Sequence, residues 1–222
     1  MEESGTVVKQ GETTILTNER MTVLNNRIDP TRLFDEQVER LRGADIHIPD
    51  KDIRFLRQKL FPGLFLLVPP RPDVVNGKVA KSLMNKVTRG EANGTSTLPE
   101  TSEHKSYSST VSPTTYNKAY ILVDVLDGRT LKGNTVTHDL EKLNDQERCP
   151  FDIWEGLIAA ISIFHASLHN LCFAGTTLHD NCVPVLSTDI ISRQATLFSR
   201  EMSSTEEKRG TPSYRWRLYA GR

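Results

Sequence analysis

The chain has 222 residues, with 28 basic and 28 acidic side chains, a balance that leaves no net field to draw in nucleic acid or an anionic membrane. Its length suits one large domain or two small ones, with a core able to stand without disulfides. Three cysteines, Cys149, Cys172 and Cys182, are an odd number with no secretion signal ahead of them, which argues against a disulfide framework and for a soluble cytoplasmic protein without a membrane span.

Residues 1–28 read as a polar N-terminal arm, with one short β-like run at Thr13 to Leu16. A helical N-terminal part with one buried strand follows over 29–87. Asp29-Pro30 supplies a cap and a first-turn proline; Leu33, Phe34, Val38 and Leu41 recur at helical spacing, and Gly43 is the expected left-handed stop. A second helix is predicted from about Asp50 to Leu60. Leu64 to Val68, LFLLV, is an apolar run of strand length between proline and glycine breakers, hence a buried strand. Val74 to Val87 predicts another helix, with a start weakened by β-branched residues and Asn76-Gly77.

Residues 88–118 are rich in Ser, Thr, Glu, Asn and Gly, with little to bury, and predict a mobile loop or linker. The C-terminal part, 119–222, opens on Ala119 to Leu126, AYILVDVL, closed by the turn pair Asp127-Gly128. Asp124 interrupts that run. It either faces solvent or bonds a nearby backbone donor, or else serves as an active-site acid, and no local partner is evident.

Thr137 is the expected cap of a short helix, HDLEKLNDQ. The segment Arg148 to Leu171 then has apolar residues at helical spacing, and predicts one long helix from Asp152 to about Leu168. Asp152 and Glu155 form a capping-box pair. Glu155 as a general base and Cys149 as a thiolate at the helix start are the chemical alternatives, and capping already accounts for Glu155. Val183 to Leu186 and Ala195 to Phe198 predict short strands.

Several of these segments, taken together, resemble those of a known family. Tyr120-Ile-Leu-Val-Asp-Val, Arg148-x-Pro150-Phe151-Asp152-x-x-Glu155-Gly156, Phe173-Ala-Gly-Thr with Val183-Pro184, and Gly210-Thr-Pro-Ser213 with Arg215 resemble a family of uncharacterised bacterial domains of unknown function, found especially in high-GC Gram-positive bacteria. The resemblance spans roughly residues 60–222. Phe151 and Asp152 stand where that family has Leu and Thr, and Tyr214 stands near a frequent cysteine position. The resemblance implies a small protein of mixed helix and strand, and no activity.

The densest set of metal-ligating side chains is His165, His169, Cys172, His179 and Cys182, spaced H-x3-H-x2-C-x6-H-x2-C. On a helix running to Leu168 the two histidines would share a face. The paired C-x2-C knuckle is missing, so the expectation is histidines at a helix C-terminus and buried cysteines, with a zinc-dependent enzyme or zinc-stabilised module as the alternative.

Near the C-terminus Arg215, Arg217 and Arg222 interleave with Tyr214, Trp216 and Tyr219. The pattern fits either a nucleic-acid surface or a final strand with Tyr214, Trp216 and Leu218 inward and the arginines in water; neutral charge favours the strand.

The fold class expected is α+β, or α/β, with a small mixed sheet of Leu64 to Val68, Tyr120 to Leu126 and Val183 to Leu186 packed on one long helix. No Gly-rich phosphate loop, G-x-S-x-G or H-E-x-x-H occurs, and no catalytic set or cofactor site is complete. The expected function is a non-catalytic binding or regulatory module, with a protein partner favoured over nucleic acid.

Overall fold

The computed structural model describes residues 29–89, 92–100, 108–109, 117–164, 169–178, 181–189, 194–205 and 209–221. The fold is α+β. In chain order the helices are α1 (Pro30–Gly43), α2 (Asp50–Arg57), α3 (Gly77–Met84), α4 (Val136–Asp145) and α5 (Ile153–Ser162). The strands are β1 (Phe65–Val68), β2 (Thr88–Arg89), β3 (Ala92–Asn93), β4 (Thr95–Ser96), β5 (Ser108–Ser109), β6 (Tyr120–Val123), β7 (Cys149–Pro150), β8 (Asn170–Cys172), β9 (Thr176–Thr177), β10 (Cys182–Thr188), β11 (Ala195–Glu201), β12 (Arg209–Gly210), β13 (Ser213–Tyr214) and β14 (Trp216–Tyr219).

Two sheets frame one main core. The first is three-stranded in the order β1-β6-β14, antiparallel throughout, with Leu66 opposite Leu122 and Arg217 opposite Leu122 from the other side. The second is five-stranded in the order β12-β8-β10-β11-β4. Leu186 lies opposite Leu171 and Leu197, and these three join the main core. Side chains alternate along a strand, so Val185, opposite Cys172, faces the other way, into a smaller cluster with Val136 and Ala174. The sheet is thus covered on both faces, by the main core with α5 on one side and by α4 on the other.

The sequence patterns explain most helix starts. Asp29 caps α1 through the Thr31 N–H, Asn76 caps α3 through Val79, and Asp152 with Glu155 forms a complete capping box on α5. Several boundaries differ from expectation: α3 starts at Gly77 behind its Asn76 cap, not at Val74, and ends at Met84, short of Val87. At the end of α1 the left-handed residue is Asp45, φ 54°, two residues beyond Gly43; the aspartate side chain tolerates that conformation. Helix α2 stops at Arg57, short of Leu60. Thr135, not Thr137, caps α4, its hydroxyl accepting from the His138 N–H.

Helix α5 ends at Ser162, well before Leu168, and at ten residues is shorter than the fourteen of α1. Its last turn widens, because Ile163 and Phe164 both donate to the Ala159 carbonyl, the second from five residues on. Phe164 then folds back to stack on Phe151, ring centroids 6.2 Å apart. Nearly the whole surface of α5 is buried, and it has no Cβ at Gly156, where one would come within 2.2 Å of the Phe173 ring.

The sheet composition also differs. Val183 to Leu186 belongs to the five-stranded sheet, and the strand that joins β1 and β6 in the three-stranded sheet is β14. Within 88–118, Thr95–Ser96 adds a parallel strand to β11 and Leu98 is buried, so the start of that segment is built into the core; residues 101–107 and 110–116 lie outside the described residues. Strand β1, from the N-terminal part, pairs with β6 from the C-terminal part, and the two parts share the main core. Among the described residues, no helix is long and apolar enough to cross a membrane.

Candidate functional site

The polar groups buried at the start of α5 form the most concentrated chemistry among the described residues. Glu155, 0% exposed, is the hub. One carboxylate oxygen accepts the Asp152 backbone N–H at 3.1 Å, closing the capping box. The other accepts the Tyr120 hydroxyl from β6 at 3.1 Å and the Arg217 guanidinium from β14 at 2.6 Å. Asp152 in turn accepts the Glu155 N–H at 2.9 Å and pairs with Arg71. The adjoining Ile153 N–H donates to the Thr176 hydroxyl at 2.9 Å, and the Trp154 ring N–H reaches the Pro69 carbonyl at 3.4 Å.

Burial is the largest electrostatic influence on Glu155, and the neighbouring Asp152 charge adds to it; Arg217 and the backbone bond act in the opposite direction, leaving its pKa pushed up to about 7. Burial also works against the charge on Arg217, but Glu155 and the surrounding tyrosines outweigh it and hold the guanidinium above its usual range. That guanidinium lies 5.6 Å from the Tyr120 ring centre and 5.0 Å from that of Tyr214. Burial and then Glu155 keep Tyr120 well above the ordinary phenol range. The Tyr214 hydroxyl is buried with no hydrogen-bond partner among the described residues.

Arg217 faces inward, against the expectation that the C-terminal arginines face water. The reason is a paired kink. Asp124, at φ 56°, ends β6, and Arg215 forms a bend between β13 and β14. Leu126 stays opposite Ser213 and Val123 opposite Trp216, so both chains lose their alternation over the same two-residue stretch. Tyr214 and Arg217 then point inward, while Trp216 is 42% exposed. A final strand is present, with Trp216 and Arg217 exchanged relative to the simple alternation.

Asp124 faces solvent, as one reading expected, but its bonding partners are arginines and not a backbone donor. Its carboxylate accepts from Arg148 at 2.7 Å and from Arg215 at 2.8 Å, and Arg148 also donates to the Ser213 hydroxyl at 3.0 Å. These arginines clamp the kink. A further buried pair, Arg209 and Asp139, stands 3.9 Å apart beside the crossing of Gly128 and Gly210. The Thr211 hydroxyl donates to Asp139 at 2.6 Å, and burial raises the Asp139 pKa.

Of the candidate metal ligands, His165 and His179 lie outside the described residues. His169 lies beyond the end of α5, not on its face or at its C-terminal dipole, and its ring Nε2 donates to the Asp127 carbonyl at 2.7 Å; burial lowers its pKa. Cys172 packs in the small apolar cluster with Val183 and Val185. Cys182 is three positions from Val185, the register partner of Cys172, and so points to the opposite face of the sheet. The structure does not bring these two thiols together, and no group of metal-ligating side chains occurs among the described residues. Cys149 is half-buried and pairs with Tyr214 across β7 and β13, while the helix start beside it is already capped by Asp152.

The two edges of the three-stranded sheet are treated differently. At the β1 edge, the buried Gln37 of α1 acts as a surrogate strand: its amide donates to the Phe65 carbonyl at 3.1 Å and accepts the Leu67 N–H at 2.8 Å. Strand β14 is paired with β6 on one side. Trp216 sits there with its ring 4.7 Å from that of Phe61, edge to face.

Sequence reasoning found Asp152, Glu155 and Cys149 but missed Arg71, Tyr120, Tyr214 and Arg217 as one constellation. The signals available were a polar-tipped Tyr at the head of an apolar strand and an arginine within the final one.

The chain matches no family model, no curated protein and no solved structure. Fold and site together define an α+β protein whose helix α5 is tied to two strands of a sheet by a buried ion-pair network.

Proposed function

We propose that the chain is a non-catalytic binding module that takes an extended segment of a protein partner as an added strand on the β14 edge. Exposed Trp216 carries this reading: a large aromatic on an edge strand gives an incoming strand apolar area beside its backbone bonds. The contrast with β1, whose edge Gln37 covers, supports it. Glu155 supports the non-catalytic part, because both its oxygens are already occupied by the chain's own donors. The segments that resemble the uncharacterised bacterial domains contribute Tyr120, Arg148, Glu155, Ser213 and Arg215, so that likeness concerns the network and its kink.

The test is selection from a displayed random peptide library on the wild-type chain and on Trp216→Ser, with amide exchange measured on the bound state. Peptides that enrich on the wild type, fail on the variant and protect 216–219 are expected. Binders indifferent to Trp216, or protection elsewhere, would refute the reading. Concentration-dependent dimers lost in Trp216→Ser would replace the partner with a second copy, and salt-sensitive binding of single-stranded nucleic acid at Trp216 would replace it with that polymer.

A further inference from the structure

Glu155 joins three elements through one carboxylate: its own helix start through the Asp152 N–H, β6 through Tyr120 and β14 through Arg217. All three bonds use the carboxylate as acceptor. A protonated acid donates on one oxygen; the Asp152 N–H and the Arg217 guanidinium can only donate, and the Tyr120 hydroxyl would have to turn from donor to acceptor, so proton uptake breaks the present arrangement. The charge-assisted bond to Arg217 loses most, because its strength depends on the carboxylate charge.

Arg217 would then be a guanidinium buried without its counter-ion, an arrangement costly enough to draw it toward water. Its strand is the edge strand β14, two residues beyond the bend at Arg215. The titratable and charged groups around the pair are Asp152 at the start of α5 with its partner Arg71, Tyr120 on β6, Tyr214 on β13 with Cys149 of β7 beside it, and Arg217 on β14 with Tyr219 beside it. Glu155 combines complete burial with a pKa pushed up to about 7.

We propose that Glu155 is a proton-operated latch on β14: uptake of one proton by its carboxylate releases Arg217 and loosens the strand edge that receives the partner. The regulatory role rests on the docking reading above; the latch itself is a property of the chain alone. The balance is simple. One proton enters from solvent, the ion pair becomes a neutral acid and a free guanidinium, and nothing else is consumed.

The test uses the full chain labelled with fluorotryptophan and with carbon-labelled glutamate carboxyl groups, followed by NMR without any partner. The Trp216 resonance, assigned by its loss in Trp216→Phe, should move between about pH 5 and pH 9. Its midpoint should coincide with that of the Glu155 carboxyl, within one unit of about 7. In Glu155→Gln the resonance should sit at the wild-type acid position at every pH. If that variant does not fold, Tyr120→Phe serves instead: it removes a donor that stabilises the carboxylate, so the midpoint should rise.

A Trp216 resonance that stays fixed while the carboxyl titrates, or a carboxyl that does not titrate in this range, would overturn the latch. A titrating latch in a chain whose peptide binders ignore Trp216 refutes the docking reading alone. Trp216-dependent binders together with a fixed resonance refute the latch alone.

Discussion

The β1 and β14 edges belong to one three-stranded sheet and solve opposite problems. At β1 a helix supplies a side-chain amide that completes the ladder, so Gln37 satisfies both a carbonyl and an N–H that would otherwise be buried unpaired. At β14 the link to a helix runs through a side chain, Arg217, held by a carboxylate that can change its charge. A neutral amide gives a fixed closure. An ion pair gives one that depends on proton concentration, and the difference lies in the chemistry of two side chains.

Both edges rest on helix α5. Helix α5 packs against α1, which carries Gln37, and presents Glu155 to β14, so Ile158→Ala should weaken both edges. Ile158 is fully buried, and a loss of about 2 to 5 kcal/mol is expected in denaturant unfolding. Gln37→Ala sharpens the contrast by opening the closed edge alone. Leaving the Phe65 carbonyl and the Leu67 N–H unpaired should cost about 2 to 4 kcal/mol, with exchange accelerated at 65–68.

Substitution at Glu155 addresses the other edge. A raised folded-state pKa means that the folded protein holds the proton more tightly than the unfolded chain. The associated stability is fully present below about 4.5, the ordinary glutamate value, and is lost as pH rises through about 7. Wild-type unfolding free energy should therefore fall over that window by on the order of a few kcal/mol, and Glu155→Gln should remove this part of the pH slope. Acidification thus favours the fold as a whole while it loosens β14, because relief of the buried charge is global and the lost ion pair is local.

The smallest effect is expected at the surface. Trp216→Ser removes an exposed ring and should change stability by about 0.5 to 1 kcal/mol, while abolishing peptide binding at the edge.

How much of this was legible in the sequence follows from the range of each interaction. The Asp152–Glu155 box, the Asp29-Pro30 start and the Asp127-Gly128 turn are fixed by neighbours in the chain and could be read directly. LFLLV and AYILV read as buried strands because every residue in their centres is apolar. The other partners of Glu155 lie 35 and 62 residues away in sequence, at Tyr120 and Arg217, and no local pattern announces them. Arg217 was placed in water by an alternation that holds only while the strand stays regular, and the left-handed Asp124 with the bend at Arg215 breaks it. The end of α5 was missed for a similar reason: apolar spacing continues to Leu168, whereas the Ala159 carbonyl collects two donors and Phe164 turns back onto Phe151.

The central claim, that one edge is closed by an amide and the other held by a titrating ion pair, is tested most directly by amide hydrogen exchange at the two strands. Measured on the free chain at about pH 6 and about pH 8, and corrected for intrinsic chemistry, the 65–68 amides should be strongly protected at both. The 216–219 amides should be less protected, and should lose further protection at the lower pH. Equal protection of the two strands at both values would mean that β14 is held as firmly as β1 and that no titrating pair governs it.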